Sequence, residues 1–321
     1  MRALVTGGHG FLGAEIVAQL RAAGHHATPA SRQSGVDILD RVALTEAMVG
    51  HDVVFHVAAK AGVWGPAAEF EACNVMGTQN VLAAARATGV ARLVYTSSPS
   101  VVFAGDDHLD AGNDLPYPLR WLADYPRTKA LAEQRVLAAN DPSLRTVALR
   151  PHLIYGPGDP HPLPRLLARA RAGRLRIVGK GDNRVSLTYV KNAAAAHLQA
   201  AIALAEPDSD AAGRAFFVND AEPVVLWAWL EQVFAGVGIA PVRRHVPAGL
   251  AYALGGAAEW VWRTLSLHGE PPMTRFVALQ LATSHTYSLG PAQAAFGYAP
   301  PVAGKAALAE TLTWLRSCSS T

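Results

Sequence analysis

Over the first 150 residues, short and nearly continuous apolar runs alternate with stretches whose apolar residues recur at helical spacing. "ALVT" (3–6), "DVVFHVA" (52–58), "RLVYTS" (92–97) and "TVALR" (146–150) read as strands buried on both faces. Between them, "FLGAEIVAQLRAAG" puts Leu12, Ile16, Val17 and Leu20 on one helical face. "TEAMVG", "NVMGTQNVLAAARATG" and "TKALAEQRVLAAN" supply further helices. Buried strands separated by helices predict a parallel sheet covered on both sides, and right-handed crossovers make it an α/β doubly wound, Rossmann-type fold.

Beyond residue 155 the texture changes. Prolines cluster in "YGPGDPHPLP" and the alternation loosens. "RVSLTYVKNAAAAHLQAAI" (184–202) reads as one more strand and helix returning to the sheet. "RLLARARAGRLR" (165–176) sets Leu166, Leu167 and Ala170, with Leu163, on one face and its arginines on the other, toward solvent. The most apolar stretch, 249–267, carries Glu259 and Arg263 four apart, the orientation that favours a helical ion pair. It therefore reads as an amphipathic helix and not a membrane span.

Composition narrows the classes. Half of the 321 residues are hydrophobic and 17% are charged, which fits a compact, water-soluble chain. With 28 basic and 25 acidic residues the net charge is +3, too mild to indicate a nucleic-acid partner. Cys73 and Cys318 match no metal or redox spacing, and the 12 histidines include no HExxH, so neither a disulfide framework nor a metal is expected. A strand at the second residue leaves no room for a signal peptide, and a cytoplasmic protein is the default expectation.

Chemistry enters with "VTGGHGFLG" (5–13), which satisfies both GxxGxxG and GxGxxG. It follows the first strand and opens an amphipathic helix, the context a dinucleotide-binding turn requires. Gly7, Gly10, Phe11, Leu12 and Gly13 are the candidate pyrophosphate-binding positions, at a helix N-terminus that favours anions. Where an NAD site carries an acidic residue for the ribose 2′-hydroxyl, this chain has Ser31 and Arg32. An arginine there accommodates a 2′-phosphate, so NADPH/NADP+ is expected, with NADH the lesser alternative. Asp37 is a candidate acceptor for the adenine.

A second cluster follows. The strand over 92–97 ends in Thr96, Ser97 and Ser98, where open parallel sheets place their ligands. "DYPRTKAL" (124–131) then sets Tyr125 and Lys129 on one helical face, one turn apart. Pro126 belongs in a first turn, so the helix is expected to start near Asp124. A cation beside a phenol lowers its pKa from about 10. A strand-end hydroxyl that holds a carbonyl oxygen, and a tuned phenol that protonates it, point to carbonyl–alcohol chemistry.

Together these residues resemble the extended short-chain dehydrogenase/reductase family. The Gly-rich turn is followed by "HVAA" (56–59), "TSS" (96–98), YxxxK and "LRPHLIYGPGD" (149–159) in the family's order, over essentially the whole chain. More narrowly the chain resembles the 3β-hydroxysteroid dehydrogenase-like branch. Within it, "AAKAGVWG", "NVMGTQNVL", "YTSSPSV" and "GEPPMTRFVALQLATSH" are similar to bacterial reductases of long-chain 2-alkyl-3-oxo acids in olefin biosynthesis. The resemblance implies Tyr125 as proton donor, Lys129 as its tuning cation and ribose ligand, and Ser98 as the group that orients the substrate oxygen. Ser97 and Ser100 stand close enough to compete for that last role. Ala58 of "HVAA" is an implied cofactor contact.

The implied reaction is NADPH-dependent reduction of a long-chain 2-alkyl-3-oxo acid to the 3-hydroxy acid. A 3-oxo acid needs a cation near its carboxylate, and Lys60, His152 and Arg275 are the candidates, with Trp64 as an apolar pocket floor. A dinucleotide-binding domain is expected at 1–155 and 184–206, and a substrate-binding region at 156–183 and 207–321. Three other readings share the fold: a 3β-hydroxysteroid or sterol dehydrogenase, a nucleotide-sugar epimerase and a non-catalytic dinucleotide sensor. The expected partner is a small, lipid-like molecule. The resemblance leaves room for a homodimer and for contacts with other pathway enzymes.

Overall fold

In the computed structural model, which describes residues 1–160 and 162–318, six parallel strands form the central sheet. They are β1 (Arg2–Thr6), β2 (His26–Ala30), β3 (Val53–His56), β4 (Arg92–Thr96), β5 (Arg145–Pro151) and β6 (Arg214–Val218). Their order across the sheet is β6-β5-β4-β3-β1-β2. The chain runs outward from β1 to β2 and then crosses to β3 on the other side of β1. Beyond the C-terminal ends of β1 and β3 this reversal opens the crevice in which such sheets bind ligands.

Alternation along each strand divides the core between the two faces. Ala3, Val5, Val53, Phe55 and Val94 pack beneath α1 (Phe11–Ala22) and a later helix. Leu4, Val54, Leu93 and Tyr95 pack on the opposite face. That face is covered by α2 (Arg41–Met48), α3 (Gly77–Ala87) and α4 (Asp124–Ala138). Each such side chain contributes about 1.5–3 kcal/mol on burial. The α3 segment is preceded by a short helical turn at Ala67–Phe70 and a wide π-type stretch at Glu71–Met76.

The remaining helices are α5 (Pro162–Arg171), α6 (Val190–Ala203), α7 (Leu226–Gly236), α8 (Ala248–Thr264), α9 (Arg275–Ala282), α10 (Gly290–Phe296) and α11 (Gly304–Cys318). Leu163 and Leu167 of α5 are buried, as its apolar stripe predicts. Among the described residues no helix is long and apolar enough to cross a membrane.

Two features of the second half differ from the pattern. Arg184–Val185 does not join the central sheet. It pairs with Val224–Val225 and with His285 in a smaller sheet, whose far edge is His108–Ala111. Only α6 returns, packing beside α1 on the same face of the sheet, where Gln19 Nε2 donates to the Lys191 carbonyl at 3.0 Å. The sixth strand comes instead from 214–218, inside the stretch assigned to the substrate region. Its "RAFFV" buries Phe216 and Phe217 on opposite sides, which fits a two-faced strand.

Close approach also shapes the C-terminal half. A Cβ on Gly255 would stand 2.7 Å from the Thr274 backbone, so glycine there lets the start of α9 rest on α8. That contact brings Arg275 to Glu259.

Candidate active site

The turn after β1 is held by its own backbone. Gly7 has φ +69°, its amide donates to the Ala30 carbonyl at 2.8 Å, and the Gly10 amide donates to the Gly7 carbonyl at 2.9 Å. A Cβ on Gly7 would lie 2.9 Å from Ala58, and one on Gly13 would lie 2.2 Å from the Gly7 oxygen. Both glycines are therefore required by packing. Gly10 is different: its Cβ would meet only the Gly7 oxygen, at 3.2 Å, and it faces open space. Gly10 also caps α1 without a side-chain hydrogen bond. The amides of Phe11, Leu12 and Gly13, which have no partner within the helix, point to the space before Gly10. An uncapped helix N-terminus behind an open glycine fits a pyrophosphate.

Past β2, Ser31 caps a short 3₁₀ turn, Arg32–Ser34. Its Oγ shares a 2.8 Å hydrogen bond with His9 Nδ1. This tie between the Gly-rich turn and the β2 end was not foreseen from the sequence. Arg32 is exposed at the head of the 3₁₀ turn. Asp37 Oδ1 accepts from the Leu39 amide at 2.9 Å. Ala58 sits against Gly7, with its amide on Thr6 Oγ1 at 3.4 Å.

At the end of β4 the three serines separate. Ser97 is buried and its amide is fixed to the Leu149 carbonyl at 2.6 Å. Ser100 is buried and donates to Ser98 Oγ at 2.9 Å. Ser98 is half-buried and near enough to the Tyr125 phenol to lower its pKa. Of the three, Ser98 is the one that acts on the phenol, with Ser100 bonded to it from behind.

Helix α4 starts at Asp124, with Pro126 in its first turn. Burial pushes the Tyr125 phenol above its ordinary pKa, and the hydrogen bond to Ser98 pulls it back. The expectation that Lys129 does this lowering is not met: burial and Ser98 are what act on the phenol. The Lys129 ammonium turns inward, donates to the Thr96 carbonyl at 2.5 Å and lies 4.2 Å over the Tyr95 ring. Burial lowers Lys129 itself to about 7, against the raising effect of Glu133.

A further residue escaped the sequence reading. Asn74, buried in the π-type stretch, accepts from the Lys60 amide at 2.8 Å. It donates to the Lys60 carbonyl at 3.1 Å and to Thr128 Oγ1 at 3.0 Å. It therefore pins the loop after β3 to the helix of Tyr125 and Lys129. The signal was an amide at a buried helical position of "NVMGTQNVL", which carries a cost unless it is hydrogen-bonded. His56 is likewise locked, between Thr6 and Thr78 hydroxyls at 2.8 and 2.9 Å. Burial, then Lys129, holds its pKa down at about 3.

The three candidate cations for a substrate carboxylate are otherwise occupied. Lys60 pairs with Glu69 at 2.6 Å and covers the Phe70 ring. Arg275 is held by Glu259, with Nε and Nη2 each at 2.8 Å. His152 is buried against the Ser186 carbonyl at 2.7 Å, and burial lowers it to about 4, so near neutral pH it carries no charge. Trp64 does line a cavity, of about 480 Å³, together with Phe70, Leu122, Asp124, Glu259 and Arg263. Asp124 precedes Tyr125, so this cavity adjoins the phenol's helix end. Among the described residues no cluster of side chains has the makings of a metal site, and Cys73 is a free thiol.

Comparison with known proteins gives the family. Residues 27–247 match the model of the 3-beta hydroxysteroid dehydrogenase/isomerase family. The chain is 47% identical over 316 residues to a 2-alkyl-3-oxoalkanoate reductase of Stenotrophomonas maltophilia (strain K279a), covering 94% of this chain and 96% of that one. It is 34% identical to the human decarboxylating sterol-4-alpha-carboxylate 3-dehydrogenase, covering 98% of this chain and 88% of that one. Among solved structures, MoeE5 in complex with UDP-glucuronic acid and NAD superimposes with a TM-score of 0.75 at 25% identity, over 99% of this chain and 100% of that one. The chain belongs to the 3-beta hydroxysteroid dehydrogenase/isomerase family of extended short-chain dehydrogenases/reductases, and it is an NAD(P)-dependent oxidoreductase.

Proposed function

We propose that the protein reduces a long-chain 2-alkyl-3-oxo acid to the 3-hydroxy acid, with NADPH as reductant and Tyr125 as proton donor. The observation that carries this reading is the 47% identity to a 2-alkyl-3-oxoalkanoate reductase across 94% of the chain. The Ser98–Tyr125 contact beside the crevice gives that similarity its chemistry.

When bound, NADPH supplies the hydride that attacks the carbonyl carbon. The amides of residues 11–13 hold the pyrophosphate, Arg32 meets the 2′-phosphate, Asp37 meets the adenine and Ala58 flanks the site. Ser98 donates to the substrate carbonyl oxygen and aligns it. Tyr125 transfers its proton to that oxygen as the alkoxide forms. Lys129 holds the nicotinamide ribose. A phenol kept protonated by burial is in the correct state to act as an acid.

The six-stranded sheet with α1, α2, α3, α4 and α6 makes the dinucleotide half, and the smaller sheet of 184–185, 224–225, 285–287 and 108–111 belongs to the substrate wall. The enzyme acts on a lipid-like substrate in the cytoplasm, as a step in long-chain olefin biosynthesis. A 3β-hydroxysterol dehydrogenase would use the same Tyr125, Lys129 and Ser98 and differ only in the pocket, and the family match gives that second reading its support.

The test is cofactor turnover by the purified protein. A long-chain 2-alkyl-3-hydroxy acid and a cholesterol-type 3β-hydroxysterol are each offered with NADP+, because the 3-oxo acids decarboxylate spontaneously. Oxidation of the hydroxy acid alone supports the proposal. Oxidation of the sterol alone moves the function to the steroid reaction.

A further inference from the structure

Arg263 has no carboxylate partner among the described residues. Helical spacing pairs it with Glu259, yet α9 takes Glu259 away. The Arg275 amide donates to Glu259 Oε1 at 2.7 Å, and its Nε and Nη2 reach Oε2 at 2.8 Å each. Glu259 is nearly inaccessible, 5% exposed, and those bonds satisfy it. Among the described residues no carboxylate stands within ion-pair distance of Arg263. Its guanidinium lies over the Trp64 ring, 5.1 Å from the centroid. That stacking fixes a cation in place without neutralising it.

Arg263 and Trp64 line two adjoining cavities of about 480 Å³ each. The first is walled by Phe70, Leu122, Asp124 and Glu259, the second by Trp262, Leu267 and Glu270. Every acid on these walls already has its own partner. Glu259 has Arg275, and Glu270 has Arg165. Asp124 has Arg127 at 3.4 Å and sits in the first turn of α4, where the helix N-terminus favours a carboxylate. Arg263 is thus the surplus guanidinium of a pocket whose walls combine Trp64, Phe70, Trp262 and Leu267 with the polar Ser266 and His268. A planar guanidinium offers two parallel donors to a carboxylate.

We propose that Arg263 is the carboxylate-recognition residue of the substrate pocket, and that Trp64, Trp262 and Leu267 beside it receive alkyl chain. The pocket then selects an anionic, carboxylate-bearing lipid over a neutral one of the same size. This deepens the reductase reading above and rests on it. It also replaces Lys60, His152 and Arg275 in the anchoring role that the sequence suggested for them.

The experiment compares a long-chain 2-alkyl-3-hydroxy acid with its methyl ester, using wild type, Arg263→Met and Arg263→Lys. Methionine keeps the apolar cover on Trp64 and removes the charge. NADP+-dependent oxidation gives KM for each compound, and tryptophan-fluorescence titration gives binding without turnover. A charge-assisted bond corresponds to at least about tenfold, so Arg263→Met raises KM and Kd for the acid by that factor. The ester constants move by less than about twofold, within the spread of ordinary surface substitutions, and Arg263→Lys recovers part of the loss. Unchanged constants for the acid, or equal changes for acid and ester, overturn the assignment. If wild type binds the acid through Arg263 but oxidises neither compound, the subsite stands and the proposed reaction falls. If it neither binds nor oxidises the acid, both fall.

Discussion

Arg150 grips Glu133 inside the protein: its Nε and Nη2 donate to the two carboxylate oxygens at 3.0 and 2.6 Å. The side chains are 3% and 0% exposed, and Tyr117 adds a hydroxyl donor to the same carboxylate at 2.6 Å. Glu133 lies on α4, one turn beyond Lys129, and Arg150 lies at the end of β5. The pair clamps the helix of Tyr125 and Lys129 to the sheet.

Glu133→Gln leaves a buried guanidinium without its counter-charge. Breaking a buried pair from one side costs roughly 3–5 kcal/mol. Urea unfolding should therefore show a clearly lower midpoint with an unchanged slope. The same change removes the carboxylate that holds the Lys129 pKa up, so Lys129 should titrate below about 7. A stability within error of wild type would mean that the pair does not fasten α4.

The serine assignment separates by mutation. Ser98 touches Tyr125, whereas Ser97 is buried with its amide on Leu149 and Ser100 acts through Ser98. Loss of a positioned proton donor costs about 10²–10⁴-fold, so Tyr125→Phe should lose that much kcat while dinucleotide Kd stays unchanged. Ser98→Ala should follow it in kcat, and Ser100→Ala should fall less. A kcat for Ser98→Ala equal to wild type, with Ser97→Ala inactive, would reassign the role.

The proposed NADPH preference rests on the turn after β2. Arg32 is exposed there, close to the Ser31–His9 contact that joins the turn to the Gly-rich loop. Arg32→Glu replaces a partner of a 2′-phosphate by one that repels it. The ratio of kcat/KM for NADPH over NADH should fall by at least about tenfold, the scale of one charge-assisted bond. A ratio that does not move would place the 2′-phosphate elsewhere.

What was legible in the sequence was what local spacing determines. The Gly-rich turn, the helix start at Asp124 and Pro126, and the four buried strands each follow from neighbours within a few residues. What was hidden depends on distant residues meeting. Glu259 and Arg263 satisfy the helical pairing rule, yet a glycine at 255 admits α9, and Arg275 outcompetes Arg263 with backbone and side chain together. Lys129 has the spacing to tune Tyr125, but the Thr96 carbonyl offers its ammonium a buried acceptor. β6 lies between α6 and α7, but everything from 207 onward reads as substrate region, so its five residues do not read as a strand of the central sheet. Asn74 was quoted within a motif, but its job appears only when Lys60 and Thr128 come to it.

Acid should weaken the fold through its buried histidines. His56 is held at about 3, and His152 and His197 at about 4, burial being the leading cause in each. Their hydrogen bonds suit the neutral ring: His56 lies between two hydroxyls, and His197 spans Thr96 Oγ1 and the Ala193 carbonyl. In the unfolded chain each titrates near 6.5. Between the folded and unfolded values the unfolded chain binds more protons, so stability rises with pH across that window. The stabilisation is complete above about 6.5 and drains as pH falls toward 4, by up to about 1.4 kcal/mol per histidine per pH unit. Urea midpoints measured from pH 7 to pH 5 should fall steadily. His197→Gln, which keeps hydrogen-bonding capacity without the titration, should flatten the slope by one histidine's share. A midpoint independent of pH across that range would show that these rings accept protons in the folded state as readily as in the unfolded one.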